Sequence, residues 1–213
     1  MEDEVYYFED LLRAYVSQEA GVDCSRQALE EVLAVACSHR IDTRFLKRLS
    51  NPRIKKAVGV LKELWPKNLL DIGSGKGFFL WHLVEQLPEI EIVAVDILPR
   101  RVERINKVAV AAKLALKAQC CDGESLPFED RSFDAVSMLE VLEHSPNPSK
   151  MVVETCRVSR LWVIASVPSK PDDNAEHIRV FDRKSLESMF SSAGAASTKI
   201  EQDSDHFYVL SKV

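Results

Sequence analysis

Apolar residues follow two alternating patterns in this chain from residue 68 to residue 213. Short, nearly continuous apolar runs are typical of strands covered on both faces, whereas apolar residues at helical spacing predict amphipathic helices. The strand candidates are 69–72, 91–96, 116–120, 132–138, 161–167, 196–201 and 207–210. The helix candidates are 77–87, 99–112, 148–158 and 183–193. This alternation predicts an α/β fold with a doubly wound, mostly parallel sheet of seven strands.

The first 50 residues lie outside this alternation and have a helical pattern. Apolar residues recur at helical spacing in two groups: Val5, Phe8, Leu12 and Tyr15, then Leu29, Val32, Leu33 and Ala36. A further helix starts at Asn51-Pro52, because proline is favoured at the first position of a helix. We therefore predict a helical lid over residues 1–50, with Tyr6, Tyr7 and Arg13 as its candidate contacts, and an α/β domain over 51–213. A plain packing layer is the alternative for residues 1–50.

The last two strand candidates are separated only by residues 202–206. So short a link makes a hairpin, and the two strands of a hairpin must be antiparallel. We therefore expect the last strand to run against the other strands of the sheet.

The segment from Asn68 to Gly77 reads Asn-Leu-Leu-Asp-Ile-Gly-Ser-Gly-Lys-Gly and carries the strongest functional signal. A short apolar strand ends there in three alternating glycines, at the point where a helix should begin. Glycine lacks a Cβ, so the backbone can turn sharply and a ligand can lie directly against it. A strand, a glycine turn and a helix start together form a nucleotide-sized site at the edge of a sheet. The G-x-G-x-G spacing differs from the G-x-G-x-x-G that is typical of dinucleotide-binding folds.

This segment, with Asp71 before the glycines, resembles the first motif of class I S-adenosylmethionine-dependent methyltransferases. Acids near later strand ends, Asp96 and Asp122, follow in the order typical of that superfamily. The resemblance extends over residues 68–168, and the closing hairpin is also typical of the superfamily. It implies S-adenosyl-L-methionine as the cofactor. The implied cofactor-binding residues are Asp71, Gly73, Ser74, Gly75, Asp96, Ile97, Asp122, Gly123, Glu124 and Glu140.

Three of the implied acids have distinct roles in that superfamily. An acid at the position of Asp71 helps to hold the cofactor's ammonium group, and one at Asp96 accepts hydrogen bonds from both ribose hydroxyls. An acid at Asp122 faces the adenine amino group. Structural alternatives stay open: Asp71 can cap the amides of the turn, and Asp96 can cap the helix that begins near Pro99.

Methyl transfer is an in-line displacement, so an enzyme accelerates it chiefly by aligning the acceptor. The residues beyond strands four and five should lie over the cofactor, which makes Glu140, His144 and His177 the candidate catalytic residues. A general base is needed only where the acceptor carries a proton of high pKa. Packing or loop-fixing roles are the alternatives for the two histidines.

Glu140, Glu143, His144 and His177 also have the chemistry of metal ligands. In part they resemble the metal motif of small-RNA 3′-end 2′-O-methyltransferases, but the longer segment before the final histidine in that family is missing. We therefore predict no metal. The metal-assisted RNA-end enzyme remains an alternative.

Composition narrows the possible partners. The net charge of −5 disfavours nonspecific nucleic-acid binding. The five cysteines form no C-x-x-C pair, which together with an acidic start that does not resemble a signal peptide predicts a cytoplasmic protein. No apolar run approaches the roughly 18 to 20 residues that a membrane span requires.

We therefore predict a methyltransferase with a small-molecule acceptor, and a nucleic-acid or protein acceptor is the alternative. The sequence does not identify the acceptor or the oligomeric state. One rival is an NAD-dependent oxidoreductase, which the glycine spacing and the closing hairpin disfavour. A second rival is a catalytically silent cofactor-binding subunit.

Overall fold

A computed structural model describes residues 7–47 and 51–213. Within these residues the helices are α1 (Glu9–Ala20), α2 (Leu29–Ser38), α3 (Pro52–Leu64), α4 (Phe78–Gln86), α5 (Pro99–Ala111), α6 (Pro148–Val158) and α7 (Arg183–Ser192). Short 3₁₀ turns cover Arg44–Leu46 and Leu142–His144. Asn51 caps α3, since its side-chain oxygen accepts the N–H of Arg53 at 2.9 Å, with proline at the first helical position as predicted. Val5 and Tyr6, which the sequence pattern assigned to the N-terminal segment, lie outside the described residues.

In the described part of the chain, seven strands form one sheet. They are β1 (Asn68–Ile72), β2 (Glu91–Asp96), β3 (Leu116–Cys120), β4 (Phe133–Leu139), β5 (Ser159–Pro168), β6 (Ser197–Asp203) and β7 (His206–Lys212). Their order is β3-β2-β1-β4-β5-β7-β6, and β7 runs antiparallel to the other six strands. The predicted fold class and the closing hairpin are therefore confirmed. The order in which strands are added to the sheet reverses between the parallel strands β1 and β4. Open α/β sheets bind their ligands at such a point.

Each face of the sheet is covered by its own hydrophobic core. In β1, Leu69 belongs to the core that contains the N-terminal helices, while Leu70 and Ile72 belong to the core under α6 and α7. Successive strand residues point to opposite faces, so one short apolar strand supplies both layers. This is the physical reason that the strand candidates read as continuous apolar runs.

The described part of residues 1–50 packs into the first core. Leu12 and Val16 of α1 are fully buried with Leu80 and Trp81 of α4, and the Phe45 ring lies between those of Tyr15 and Trp81. These side chains share one core with the sheet. Residues 7–47 therefore form a layer of the α/β unit, and the predicted boundary at residue 50 stays a prediction.

None of the described helices is both long and apolar enough to cross a membrane.

Leu12→Ala tests whether the N-terminal layer belongs to the cooperative core. We expect the free energy of unfolding to fall by about 2–5 kcal/mol, because a fully buried leucine is replaced by a cavity. Urea denaturation followed by circular dichroism measures the change, and the transition should stay single. Leu161→Ala, at a side chain that is 42% exposed, is the matched control and should change stability little. An unaltered main transition in Leu12→Ala would show that α1 unfolds independently.

Candidate active site

A cavity of about 700 Å³ opens at the carboxyl ends of β1, β2 and β4. Parallel strands end at the same edge of a sheet, so residues far apart in sequence converge there. All ten predicted cofactor-binding residues line it: Asp71, Gly73, Ser74, Gly75, Asp96, Ile97, Asp122, Gly123, Glu124 and Glu140. His144 also lines it. The remaining predicted residue, His177, is not among its lining residues, although its neighbour Glu176 is.

None of the described residues 7–47 lines this cavity. Arg13 instead bonds within its own layer, to Glu9 at 2.6 Å and to the carbonyl of Gln27 at 3.1 Å. Tyr7 pairs with Lys47 in an isolated β-bridge. The expectation that Tyr7 and Arg13 contact a substrate thus has no support in this conformation, because the apolar faces around them are buried against α4 and α5.

The glycine turn after β1 has all three glycines at positive φ: Gly73 at 68°, Gly75 at 60° and Gly77 at 81°. The carbonyl of Val95 accepts the N–H groups of Gly73 (2.8 Å) and Ser74 (3.1 Å), so the turn is fixed to β2. A Cβ on Gly73 would lie 2.6 Å from Val141, and one on Gly77 would lie 2.5 Å from the Trp81 ring. A Cβ on Gly75 would meet only a carbonyl at 3.8 Å. Gly73 and Gly77 are therefore required by packing, while Gly75 borders open cavity.

Asp71, like Asp96, is deeply buried in the cavity wall, with 3% exposure. Its Oδ1 accepts the hydroxyl of Ser137 on β4 at 2.7 Å. Burial raises the pKa of Asp71 to about 6, hydrogen bonds from Ser137 and Ser74 oppose this shift, and the nearby charge of Asp96 adds to it. A buried carboxyl with so few partners is a ready site for a cation.

Asp96, at the end of β2, connects the two strand ends. Its Oδ2 accepts the N–H of Gly75 at 2.8 Å and lies 3.3 Å from Arg101, and its Oδ1 accepts the N–H of Leu98 at 2.9 Å. Leu98 is the residue that precedes α5, so the alternative in which Asp96 itself is the N-cap is wrong, although Asp96 does bond the amide at the helix start. Ile97 beside it is 64% exposed over the cavity.

The loop after β3 forms another part of the wall. Asp122 bonds locally, since its Oδ1 accepts the N–H of Glu124 at 2.9 Å. Glu124 reaches across to the loop after β4, where its Oε1 accepts the Ser145 hydroxyl (2.7 Å) and the Asn147 N–H (2.9 Å). The Ser145 bond is the main reason that the pKa of Glu124 is lowered. A Cβ on Gly123 would lie 2.9 Å from Ile72, so this glycine is needed for close packing.

Glu140 adopts a positive φ of 58°, which is uncommon for a residue with a side chain. Its Oε1 accepts the Ser166 hydroxyl at 2.8 Å, and its Oε2 accepts Arg53 at 2.8 Å and lies 3.1 Å from Nε2 of His206. Arg53 and His206 also contact each other. Neither Arg53 nor His206 was singled out from sequence, because they lie 87 and 66 positions from Glu140 and carry no local motif. Arg53 also lines the cavity.

His144 and His177 pack edge to face, with ring centroids 4.8 Å apart, and Glu143 lies behind them. The His177 ring is mostly buried and sits 2.8 Å from Asp172. Burial, followed by the charge of Glu140, raises the pKa of Glu143 to about 8. The structure thus brings three of the four possible metal ligands together and holds Glu140 elsewhere. The catalytic role predicted for His177 remains a prediction, and its ring contacts that of His144, which lines the cavity.

Comparison with known proteins agrees with this geometry. Residues 70–161 match the family model described as "Methyltransferase domain". Over 72 residues, 34% of this chain and 30% of the relative, the chain is 36% identical to demethylmenaquinone methyltransferase of Deinococcus radiodurans. Over 95 residues, 44% of this chain and 27% of the relative, it is 36% identical to the chloroplastic tocopherol O-methyltransferase of Arabidopsis thaliana. The chain therefore spans less than a third of the length of these two relatives.

Solved structures share the fold. Magnesium protoporphyrin IX methyltransferase from Synechocystis, solved with bound SAH, superposes with a TM-score of 0.61 at 17% identity, over 75% of this chain and 81% of that one. Residues 70–161 are thus similar in sequence to a methyltransferase domain, and the fold is the one seen in solved structures of S-adenosylmethionine-dependent methyltransferases.

Asp71→Asn tests the burial of this carboxyl through the pH dependence of stability. The pKa of Asp71 is about 6 in the folded protein against 3.8 ordinarily, so between these values the folded state binds more protons than the unfolded state. The free energy of unfolding should therefore fall as pH rises from about 4 to 6, by about 3 kcal/mol at most.

Asparagine has no such proton, so Asp71→Asn should gain stability relative to the wild type across that window. Urea denaturation at a series of pH values measures the difference. A constant difference from pH 4 to 6 would mean that the Asp71 carboxyl titrates as if exposed.

Proposed function

We propose that this protein transfers a methyl group from S-adenosylmethionine to a small-molecule acceptor. The observation that carries the proposal is the convergence of all ten predicted cofactor residues on one cavity at the strand-order reversal of a methyltransferase fold. The relatives of known name are methyltransferases whose printed names specify demethylmenaquinone and tocopherol as substrates, which supports a small acceptor. A protein or nucleic-acid acceptor is the alternative, which the net charge of −5 disfavours for nucleic acid.

The proposed cofactor position follows the charges of the cavity. The ammonium group of the cofactor lies against Asp71, because a buried carboxyl gains most from a cation. The ribose hydroxyls bond Asp96, and the adenine lies between Ile97 and the loop of Asp122 and Gly123. Asp96 already accepts three hydrogen bonds, so its contact with Arg101, the longest at 3.3 Å, gives way when the ribose binds.

The acceptor should enter from the side of Glu140, His144 and Arg53. These residues line the same cavity, beyond the ends of β4 and at the start of α3. Glu140 is already fixed by Arg53 and Ser166, so it offers a rigid wall against which an acceptor can be oriented. Such orientation can supply about 7–11 kcal/mol of the barrier to a bimolecular transfer. His144 and His177 are the candidates for positioning or deprotonating the acceptor.

A cytoplasmic location is also part of this proposal. All five cysteines are free, which fits a reducing compartment.

Calorimetry with S-adenosylmethionine and, separately, NAD tests the cofactor. We expect binding of the first and none of the second, and the reverse result would contradict the proposal. A turnover screen with methyl-labelled cofactor and small-molecule extracts then tests catalysis. Labelled small products support the proposed acceptor class, whereas label only in protein or RNA fractions favours the alternative acceptors. Cofactor binding without any labelled product would support the silent-subunit alternative.

Asp96→Ala should weaken S-adenosylmethionine binding at least about tenfold, because hydrogen bonds to a charged group contribute about 1.5–3 kcal/mol each. The carboxylate also holds the N–H of Gly75, so the melting temperature of the ligand-free variant should fall as well. Calorimetry on the folded variant measures the affinity. Wild-type affinity in a folded Asp96→Ala protein would eliminate the ribose assignment.

Gly75→Ala and Gly21→Ala form a matched pair for the glycine turn. Both glycines have positive φ, 60° and 67°, and neither Cβ would clash with the protein, so the two substitutions share a strain of about 1–2 kcal/mol. Only Gly75 borders the cavity. We expect similar losses of melting temperature but a loss of cofactor affinity in Gly75→Ala alone. Equal affinities in the two variants would show that the turn is structural only.

A further inference from the structure

A compact cluster of metal-ligand side chains lies at the rim of the cavity. One ligand atom each of Glu143, His144 and His177 can be chosen so that all three lie within 4.8 Å of one another. His144 and Glu143 belong to the 3₁₀ turn after β4, and His177 comes from the loop after β5. The backbone ties the two segments together, since the N–H of Ile178 donates to the carbonyl of Glu143 at 3.0 Å.

The Glu143 side chain is fully buried, with 0% exposure. Among residues 7–47 and 51–213, neither of its carboxylate oxygens has a hydrogen-bond partner. Nε2 of His177 lies 3.9 Å from Oε1 of Glu143, which is too long for a hydrogen bond. A buried carboxylate without a partner is costly unless a cation compensates it. A positive ion between these side chains would therefore compensate the charge of the Glu143 carboxylate.

In both imidazoles a hydrogen bond at Nδ1 fixes the ring, so that Nε2 is the nitrogen left to face the Glu143 carboxylate. Nδ1 of His177 lies 2.8 Å from a carboxylate oxygen of Asp172, and Nδ1 of His144 lies 2.9 Å from the carbonyl of Glu176. These oxygens accept, so Nδ1 carries the proton in both rings and Nε2 keeps its lone pair. A histidine whose Nδ1–H is held by a carboxylate or a carbonyl is the arrangement that supports a metal on Nε2.

We propose that Glu143, His144 and His177 bind a Zn²⁺ ion. Two imidazoles and one carboxylate are a donor set suited to zinc, and three protein ligands leave a fourth position for water. Bonds of about 2.0–2.2 Å require the three ligand atoms to draw closer together than they are, which small side-chain rotations provide. Glu140 is not part of the set, because Arg53, Ser166 and His206 occupy its carboxylate. This differs from the metal-free enzyme predicted from sequence.

The proposed role of the ion is structural, because its ligands belong to two different segments of the chain. It would join the turn after β4 to the loop after β5 beside the cavity, because His144 lines the cavity and Glu176 precedes His177. It would thereby fix the rim through which the acceptor enters. The inference does not depend on the proposed methyl transfer, since metal binding is measurable without cofactor or turnover.

The test is a metal titration of the full chain after treatment with a chelator. We expect Zn²⁺ to bind at one ion per chain by calorimetry. Co²⁺, added as a spectroscopic probe, should give the visible absorption of a low-symmetry site and be displaced by Zn²⁺. Chelator-treated protein that binds neither ion, or binds only with the affinity of exposed surface histidines, would overturn the proposal.

Variants locate the ion. His177→Gln should lower Zn²⁺ affinity by more than about tenfold and abolish the Co²⁺ absorption, while Asp172→Asn should lower the affinity about 10- to 100-fold with the absorption retained. His39→Gln, at an exposed histidine at the end of α2, is the matched control and should bind as the wild type does. Unchanged Zn²⁺ binding in folded His177→Gln protein would contradict the site, and so would an equal loss in His39→Gln.

Discussion

The burial of the Asp71 carboxyl is the constraint on which the site depends. The group sits in the middle strands of the sheet, where Ser137 is its hydrogen-bond partner, and burial raises its pKa to about 6. Such a position weakens the folded state at neutral pH and gains nothing for packing, since an apolar side chain would fill it better. The cost is understandable if the group receives a cation. The glycine turn directly after β1 then provides the opening through which that cation can reach it.

The rest of the architecture holds this opening in place. Val95 and Asp96, at the end of β2, hold the turn through its amides, and Val141 and Trp81 close it from the sides where glycines 73 and 77 leave no space for a Cβ. The layer formed by α1 and α2 supports the glycine turn indirectly. It packs against α4 in the first core and buries the side of α4 that carries Trp81. The cavity is thus a consequence of two cores that meet at the ends of β1 and β2.

Much of this was predictable because it depends on local pattern. The strands of a doubly wound sheet are buried on both faces, so Leu69–Ile72 and Glu91–Asp96 stand out as apolar runs, and the short hairpin link dictates an antiparallel β7. The cofactor residues follow strand ends, whose convergence is a property of parallel sheets. The position of residues 7–47 was not predictable, because an amphipathic helix shows that one face is buried but not against what.

Side-chain contacts between residues far apart in the chain could not be predicted from the sequence either. Arg53 and His206 reach Glu140 from a helix start and from the closing hairpin, and the metal-like cluster selects Glu143 rather than Glu140. Both outcomes depend on rotamers and on the positive φ of Glu140, which no spacing rule encodes.

Proton release on cofactor binding tests the central claim most directly. At pH 6 about half of the Asp71 carboxyls are protonated, and a cofactor ammonium beside the carboxyl must lower its pKa. Calorimetry of S-adenosylmethionine binding in two buffers of different ionisation enthalpy should therefore show release of about half a proton per cofactor at pH 6. The release should disappear in Asp71→Asn. Tight binding by the wild type with no proton release, or with proton uptake, would contradict the account.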